Sequence, residues 1–479
     1  MRRGEIYEEL GMTGGFMVSA GRLSLLAAAG YLLLGGASAQ AADLGGNCCA
    51  DLEERIAELE ATTARKGNRK VSLTMYGQVN EAVMYWDDGF ESNAYQVTND
   101  NSRTRIGFKG DAKITGDWKA GYVIEIGIRS ASSKRFTQDE DDVDAGLDLR
   151  HSYWHIGSKT YGKVSVGQTG GASESITEIN QTQTSSIAKF SDQEDTGLGL
   201  GLRQANGNIL LDAGTGNPFF TWRRLIRDYG DQPGEGRRYN LVKYDTPEIA
   251  GFHGTASWGE DDTWEIGLRY KGEFANLKVA AGIAYGENSE QKSSAGAVGF
   301  ECSAQTSQVV GRTGKDAECN QFGGSISIVH EPTGLFLNAA GGTATDELIL
   351  RSNRFVGVTG ADDESTFWSL EAGIEKKFFD LGKTTIFGQY YENEGGSNAR
   401  RQVLVDGVGT SRILGTELTS YTLGVVQGLD AAAMQLYLYY RHYEADVTTK
   451  AGSSGNGGAV TDLNLEDLDV VTAGGIIKF

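Results

Sequence analysis

The sequence predicts an all-β transmembrane antiparallel β-barrel of about 16 strands, preceded by a short N-terminal helical, coiled-coil-like segment. Three observations carry that prediction. Glycine and aromatic residues are abundant and proline is scarce, with 67 Gly, 20 Tyr and 18 Phe against 4 Pro, a composition that suits many strands and turns. From Val71 onward apolar residues recur at every second position, not at helical spacing. Beyond the first 41 residues no stretch approaches the ~20 apolar residues of a spanning helix. A membrane-crossing form must therefore be a closed barrel, in which each backbone N–H and C=O bonds to a neighbouring strand.

Residues 1–41 are set apart as a signal peptide. An apolar run from Leu23 to Ala41 follows Arg22 and ends on Ala39, Gln40 and Ala41, a small-x-small cleavage pattern. Glu5, Glu8 and Glu9 do not suit a positive leading region, so Met12 or Met17 is the expected start of translation. Residues 42–70 form the expected periplasmic helix, with Leu52, Ile56 and Leu59 in a 4-then-3 seam and Gly67 and Asn68 ending it. Two heptads do not hold alone. The segment reads either as an assembly element joining several chains, with Cys48 or Cys49 cross-linking them, or as a frayed monomeric helix.

The strands follow in order as VSLTMYGQVNEAVMYW, RTRIGFKGDAKI, WKAGYVIEIGIR, LDLRHSYWHIGSK, GKVSVGQTGG, RRYNLVKYDT, FHGTASWGE, WEIGLRYKGEF, LKVAAGIAYGE, GGSISIVHE, GLFLNAAGG, TFWSLEAGIEKKF, TTIFGQYYENE, ELTSYTLGVVQGL, AAMQLYLYYRHYEAD and DLDVVTAGGIIKF. In the second, Arg103, Arg105, Gly107 and Lys109 share one face and Thr104, Ile106 and Phe108 the other. In the third, Lys119, Gly121, Glu125, Gly127 and Arg129 oppose Ala120, Tyr122, Ile124, Ile126 and Ile128. A face of Arg, Lys, Glu and Gly has no large apolar groups to pack, so it must meet water. Connectors alternate between tight turns (115–117, 159–161, 331–333, 380–383) and long polar loops (130–146, 288–322, 342–365, 395–416, 447–466), as an outer-membrane barrel requires. The longest interruption, about 172–236, follows the fifth strand and needs a wide lumen to fold into.

The last strand turns Val471, Ala473, Ile477 and Phe479 to one face, expected to meet lipid or a neighbouring subunit, and Thr472, Gly474 and Lys478 to water. It is expected to pair with the first strand and close the barrel. Ile476, on the watery face, does not fit that pattern.

The net charge of −20 argues against nucleic acid as a partner, because phosphate binding needs clustered Lys and Arg. Five scattered His surround no nucleophile motif, GGASES is not a G-x-S-x-G elbow, and GLGLGLR at Gly197 to Arg203 lacks the strand-turn-helix context of a dinucleotide loop. The chain is therefore expected not to be an enzyme and to carry no cofactor or metal. Cys302 and Cys319 enclose one loop, where a disulfide would restrict the unfolded chain by about 3 kcal/mol. Tyr437, Tyr439 and Tyr443 with Tyr390 and Tyr391 read as an interfacial aromatic girdle, with a sugar track as the rival.

NDNSRTRIGFKGDAKITGDWKAGYVIEIG, LRHSYWHIGSKTYGKVSVGQTGG, LVKYDTPEIAGFHGTASW, the terminal IIKF and the N-terminal CCADLEERIAELEATTARKGNRKVSLTMYG resemble, in order and spacing, the trimeric general porins of Gram-negative outer membranes, most nearly the alphaproteobacterial type. The resemblance covers both ends and much of the first half. It implies sixteen strands, a homotrimer, contact with outer-membrane lipid and lipopolysaccharide, and a third extracellular loop folded inward. It also implies passive diffusion of small hydrophilic solutes and ions past basic wall residues facing acidic loop residues. Carried over, Arg105 sits at a wall arginine, Arg103 shares its face, and Gln78 occupies a wall position basic in some members. Arg150 lies in a segment that often supplies another, although its spacing to Gly157 departs from the family's and leaves its direction open. Lys119, Glu125 and Arg129 complete the expected pore lining. On the loop, Glu174 and Glu178 are the acidic side, with Asp192, Glu194 and Asp195 behind them. The family's Pro-Glu-Phe-Gly element is absent. Arg223, Arg224 and Arg227 in NPFFTWRRLIRD have no counterpart: they line the constriction, contact a neighbouring subunit or cover the barrel mouth. The rival functions are a substrate-specific channel for sugars or organic anions, and a non-conducting surface barrel.

Overall fold

The computed structural model describes residues 70–479, apart from 142, 144, 214–218, 228–231, 260–262, 289–318 and 406–408. The expected signal peptide and, but for Lys70, the expected helix lie outside the described residues, as do Cys48, Cys49 and Cys302. Cys319 is disulfide-bonded.

Twenty strands are present among the described residues. Sixteen are the staves of one closed antiparallel barrel: β1 (Thr74–Asp87), β3 (Arg105–Thr115), β4 (Trp118–Arg129), β5 (Gly146–Ser158), β6 (Gly162–Gly170), β8 (Arg238–Asp245), β9 (Phe252–Gly259), β10 (Thr263–Phe274), β11 (Leu277–Asn288), β12 (Cys319–His330), β13 (Leu335–Asp346), β14 (Glu364–Phe379), β15 (Gly382–Glu394), β17 (Gly409–Leu429), β18 (Met434–Ala451) and β20 (Leu468–Lys478). Each coincides with one of the sixteen predicted segments. The other four, β2 (Ser92–Thr98), β7 (Leu211–Asp212), β16 (Gln402–Val405) and β19 (Val460–Asp462), are short ribbons paired onto staves or onto each other. They and the ends of β17 and β18 run into what the sequence predicts as loop. Pairing with an already formed stave holds such residues extended without any alternation of their own.

Closure is between β1 and β20, in register from Gln78 opposite Lys478 to Asp87 opposite Asp469. Gly77 and Phe479 complete it: each backbone N–H donates to the other's carbonyl, at 2.9 and 3.0 Å.

The period-2 pattern sorts the side chains. Val83, Ile124, Ile266, Ile283, Leu337, Ile386, Leu423 and Leu438 stand on the outer face, each more than a third exposed. Such a belt has no place in water and fits hydrocarbon. Aromatics bracket it: Trp118 stacks on Tyr161 at the tight-turn end, while Trp368, Tyr390 and Tyr421 follow one another at 4.8 and 5.4 Å towards the long loops.

The girdle reading holds for Tyr390 but not for Tyr391, Tyr437, Tyr439 and Tyr443. These point inward and are almost fully buried. They belong, with Met84, Trp86, Val470 and Ile476, to an apolar cluster inside the barrel. The inner face therefore meets water only along part of the circumference; along β1, β17, β18 and β20 it is packed. That packing accounts for Ile476, which has no solvent exposure.

Candidate functional site

The filling of the lumen is the chain between β6 and β8. Its two ends meet at a neck, where Gly171 N–H donates to Arg237 O (3.3 Å) and Gly236 N–H donates to Ser173 O (3.2 Å). Gly170 and Gly171 leave room there for two carboxylates. A Cβ on Gly170 would fall 1.4 Å from Glu174 Oε2, and one on Gly171 would fall 2.3 Å from Glu265 Oε2.

From the neck the strap crosses the inner wall stave by stave. Ser173 N–H donates to Glu265 of β10 (2.7 Å), Ile179 N–H to Ser325 of β12 (3.0 Å), and Thr184 Oγ1 to Glu371 of β14 (2.7 Å). Gln389 of β15 donates to Ala188 O (2.7 Å) and Tyr443 of β18 to Thr196 O (2.7 Å). Inward polar side chains thus satisfy strap backbone groups that would otherwise be buried unpaired. The strap then folds on itself. Leu202 N–H donates to Phe220 O (2.9 Å) and Trp222 N–H to Leu200 O (3.0 Å), so that Leu198, Leu200, Leu202, Phe220, Trp222, Leu225 and Ile226 enter the apolar cluster. GLGLGLR is therefore a row of apolar knobs, turned from Gly197 to Leu200 and bridged at Gly201 and Arg203.

Because the strap lies against β9–β20, the open space lies on the other side, against β3, β4, β5, β6 and β8. It is a cavity of about 680 Å³. Of the predicted residues, Arg103, Arg105, Arg129, Arg150, Glu174, Glu178, Asp192, Arg223 and Arg224 line it together, with Glu194 and Asp195. Gln78, Lys119, Glu125 and Arg227 are not among its lining residues. Gln78 is buried and donates to Ser102 O (2.7 Å), bracing the turn before β3. Lys119 is exposed near a tight turn. Glu125 stands behind the lining, 2.7 Å from Arg150 and 3.9 Å from Arg105.

The direction of Arg150, open in the sequence, is decided by a β-bulge. Glu125 pairs with His151 and Ile126 with Leu149, leaving Arg150 as the extra residue. A bulge inserts one residue and re-aims its side chain, so Arg150 and His151 both turn inward. The same insertion produces the altered spacing to Gly157.

The remaining charges pair across the cavity. Glu174 faces Arg238 at 2.7 Å, not Arg105. Lys189 binds Glu178 and lies 3.2 Å from Asp192. Glu194 accepts from Lys134 (2.9 Å) and Arg223 (2.8 Å). Asp192, Glu194 and Asp195 bring carboxylate oxygens within 4.8 Å of one another, with Lys134, Lys189 and Arg223 set among them. Burial alone would raise the Glu194 carboxyl, but Lys134 and Arg223 hold it below the usual range. Asp192 goes the other way, pushed well up by burial and by Asp195. Burial and Glu178 likewise push Glu235 well up. Burial works against the charge on Lys189, yet the surrounding carboxylates keep it firmly protonated.

Asp100, Lys134, Arg135, Asp148, Lys189, Glu235, Arg237, Arg238, Arg400 and Arg401 also line the cavity and escape sequence reasoning. The doublets Arg237-Arg238 and Arg400-Arg401 are the visible signals among them.

The model of the Gram-negative porin family matches residues 24–464. The chain belongs to this family. A search of curated protein sequences finds no match. Among solved structures, this porin is similar to an anion-selective porin from Comamonas acidovorans, at TM-score 0.50 and 16% identity over 85% of this chain and 100% of that one. It is also similar to Salmonella typhi OmpF in complex with daunomycin, at TM-score 0.47 and 14% identity over 86% of this chain and 98% of that one. A third is Pseudomonas putida OprB at high pH, at TM-score 0.48 and 9% identity over 90% of this chain and 97% of that one. As a Gram-negative porin, the chain is an outer-membrane channel for passive diffusion.

Proposed function

We propose that the cavity between the strap and the β3–β8 wall is the constriction of a general diffusion pore, through which small hydrophilic solutes and ions pass without a saturable step. The observation that carries this reading is the strap itself, which fills one side of the lumen with apolar packing and leaves a charged space along the other. Fixed charges of both signs order water there, and an apolar solute loses hydration on entering. In this reading Arg103, Arg105, Arg129 and Arg150 form the wall side, Glu174, Glu178 and Asp192 the strap side, and Arg223 and Arg224 line the constriction. Glu125 and Gln78 act from behind by holding Arg150 and the turn before β3. The working form is a homotrimer in contact with lipid and lipopolysaccharide, as the family resemblance implies.

Reconstitution in planar bilayers tests the pore. A stable ohmic conductance, with sugar uptake into proteoliposomes falling smoothly with solute size, is the expected result. Current blocked by one sugar at low concentration would favour a substrate-specific channel, and no conductance would refute both. Light scattering of the detergent-solubilised protein tests the trimer.

A further inference from the structure

Where the strap segment 180–189 crosses the inner wall, it lies on a single polar row. Ser327 of β12 stands opposite Asn338 of β13, Asn338 opposite Glu371 of β14, and Glu371 opposite Gln389 of β15. Gln389 in turn stands opposite Thr422 of β17, and Thr422 opposite Arg441 of β18. Six neighbouring staves thus place a polar side chain at one register level, and all six are buried. The row ends on apolar residues, Ala280 of β11 beside Ser327 and Val470 of β20 beside Arg441.

Two members of the row are ionisable and of opposite kind, and they do not touch. Glu371 accepts from Thr184 Oγ1 (2.7 Å), Asn338 Nδ2 (3.0 Å) and Gln389 Nε2 (2.7 Å). These partners are all donors, so the carboxyl accepts at both oxygens, as the ionised group does. Arg441 donates from Nε to Thr422 Oγ1 (2.8 Å) and from Nη2 to Gln389 Oε1 (3.0 Å) and Lys189 O (3.2 Å). Its guanidinium stands over the Tyr439 ring, and no carboxylate is among these partners. A charge buried this deeply is costly unless an opposite one answers it. Gln389 lies between the two and serves both in one orientation, its N–H towards Glu371 and its C=O towards Arg441. The same three side chains grip one turn of the strap, Glu371 through the Thr184 hydroxyl, Gln389 through Ala188 O (2.7 Å) and Arg441 through Lys189 O. Lys189 is the residue whose ammonium gathers Glu178, Asp192 and Asp195 at the cavity.

We propose that Glu371, Gln389 and Arg441 act as one unit, a buried anion–amide–cation bridge that fixes the strap turn 184–189 against β14–β18 and thereby sets the size limit for solutes. The proposal rests on the diffusion-pore reading. The three are positioning residues: they hold the strap, and the strap decides how much room is left against the β3–β8 wall. Each charge answers the other through the amide, so the bridge is neutral as a whole and is upset by the loss of either charge alone.

The test uses the whole protein, in planar bilayers for single-channel current and in proteoliposomes for uptake of raffinose relative to arabinose. Glu371→Gln strands the charge of Arg441, and Arg441→Gln strands that of Glu371. Each alone should shift the raffinose-to-arabinose ratio upward and give larger, noisier currents. Gln389→Leu, which keeps both charges and removes the amide between them, should do the same. The double variant Glu371→Gln with Arg441→Gln holds no buried charge in the row and should move both readouts back towards the unaltered protein, which anchors acting independently would not do. A double variant disturbed at least as much as the worse of its two parents, or single variants that match the unaltered protein, overturns the proposal and leaves the diffusion pore standing. Where a single variant fails to insert, recovery of insertion in the double variant supports the bridge, and failure of the double variant as well overturns it. Absence of conductance in the unaltered protein removes the pore, and the proposal with it.

Discussion

One extra residue decides where Arg150 points, and this is why its neighbourhood looks irregular in the sequence. Strict alternation would send either Arg150 or His151 outward; the bulge at Glu125 and Ile126 brings both into the lumen. Glu194 shows a second residue-scale effect, since two cations hold its charge in a buried place. Its carboxyl is lowered in the folded protein, so its contribution is present above the unfolded value and lost only as pH falls through the depressed folded one. Pepsin cleavage within the strap should therefore stay slow as pH drops through the ordinary glutamate range near about 4. Cleavage that rises in step with ordinary glutamate protonation would contradict this. Glu194→Gln leaves Arg223 buried without its carboxylate and should destabilise the strap by about 3 kcal/mol, seen as faster cleavage at neutral pH.

At the scale of elements, the strap behaves as a small folded unit docked on one side of a barrel. It has a closed neck, a strand-like pairing of Leu200–Leu202 with Phe220–Trp222, and an apolar face set against Met84, Trp86 and Val470. Removing a large buried side chain leaves a cavity that the surroundings only partly close. Trp222→Ala should loosen the strap by about 3–5 kcal/mol, giving larger and noisier single-channel currents with unchanged far-UV circular dichroism. Identical current traces would mean that the strap is held by its polar anchors alone. Sequence patterning does not reveal this element. Its leucines alternate with glycines, its aromatics sit in a loop-like context, and their common destination is a wall built from strands hundreds of residues away.

For the whole molecule, closure and charge balance are the governing properties. The seam between β1 and β20 ends in the mutual hydrogen bonds of Gly77 and Phe479, and the Phe479 ring lies over Gly77, where a Cβ would meet it at 2.6 Å. Deleting Phe479 should lower the amount of protein inserted in the outer membrane, measured by quantitative blotting, more than the conductance of each inserted pore. The charge of the cavity should also respond to pH. Asp192 and Glu235 lie above the ordinary carboxyl range, so raising pH ionises them late and adds negative charge inside. The ratio of chloride to potassium permeability, read from reversal potentials, should therefore decline as pH rises, and a constant ratio would remove these two groups from the ion path.

Alternation along the chain suffices for the class of fold, the sixteen staves, their closing partners and the faces of RTRIGFKG and KAGYVIEIGIR. A strand in a barrel declares its two faces every second residue, and that period survives without knowledge of neighbours. The family resemblance marked Arg103, Arg105, Arg150 and the acidic residues from Glu174 to Asp195 as belonging to one region. Which charges meet is set by the tertiary packing. Glu174 meets Arg238, Arg105 meets Glu125, and Lys189 gathers three carboxylates. It alone decided that Ile476 and the inward tyrosines are packed rather than wet. Pairing and burial inside a barrel depend on which distant segment fills the lumen, and a single inserted residue or a folded strap changes that without altering the local pattern.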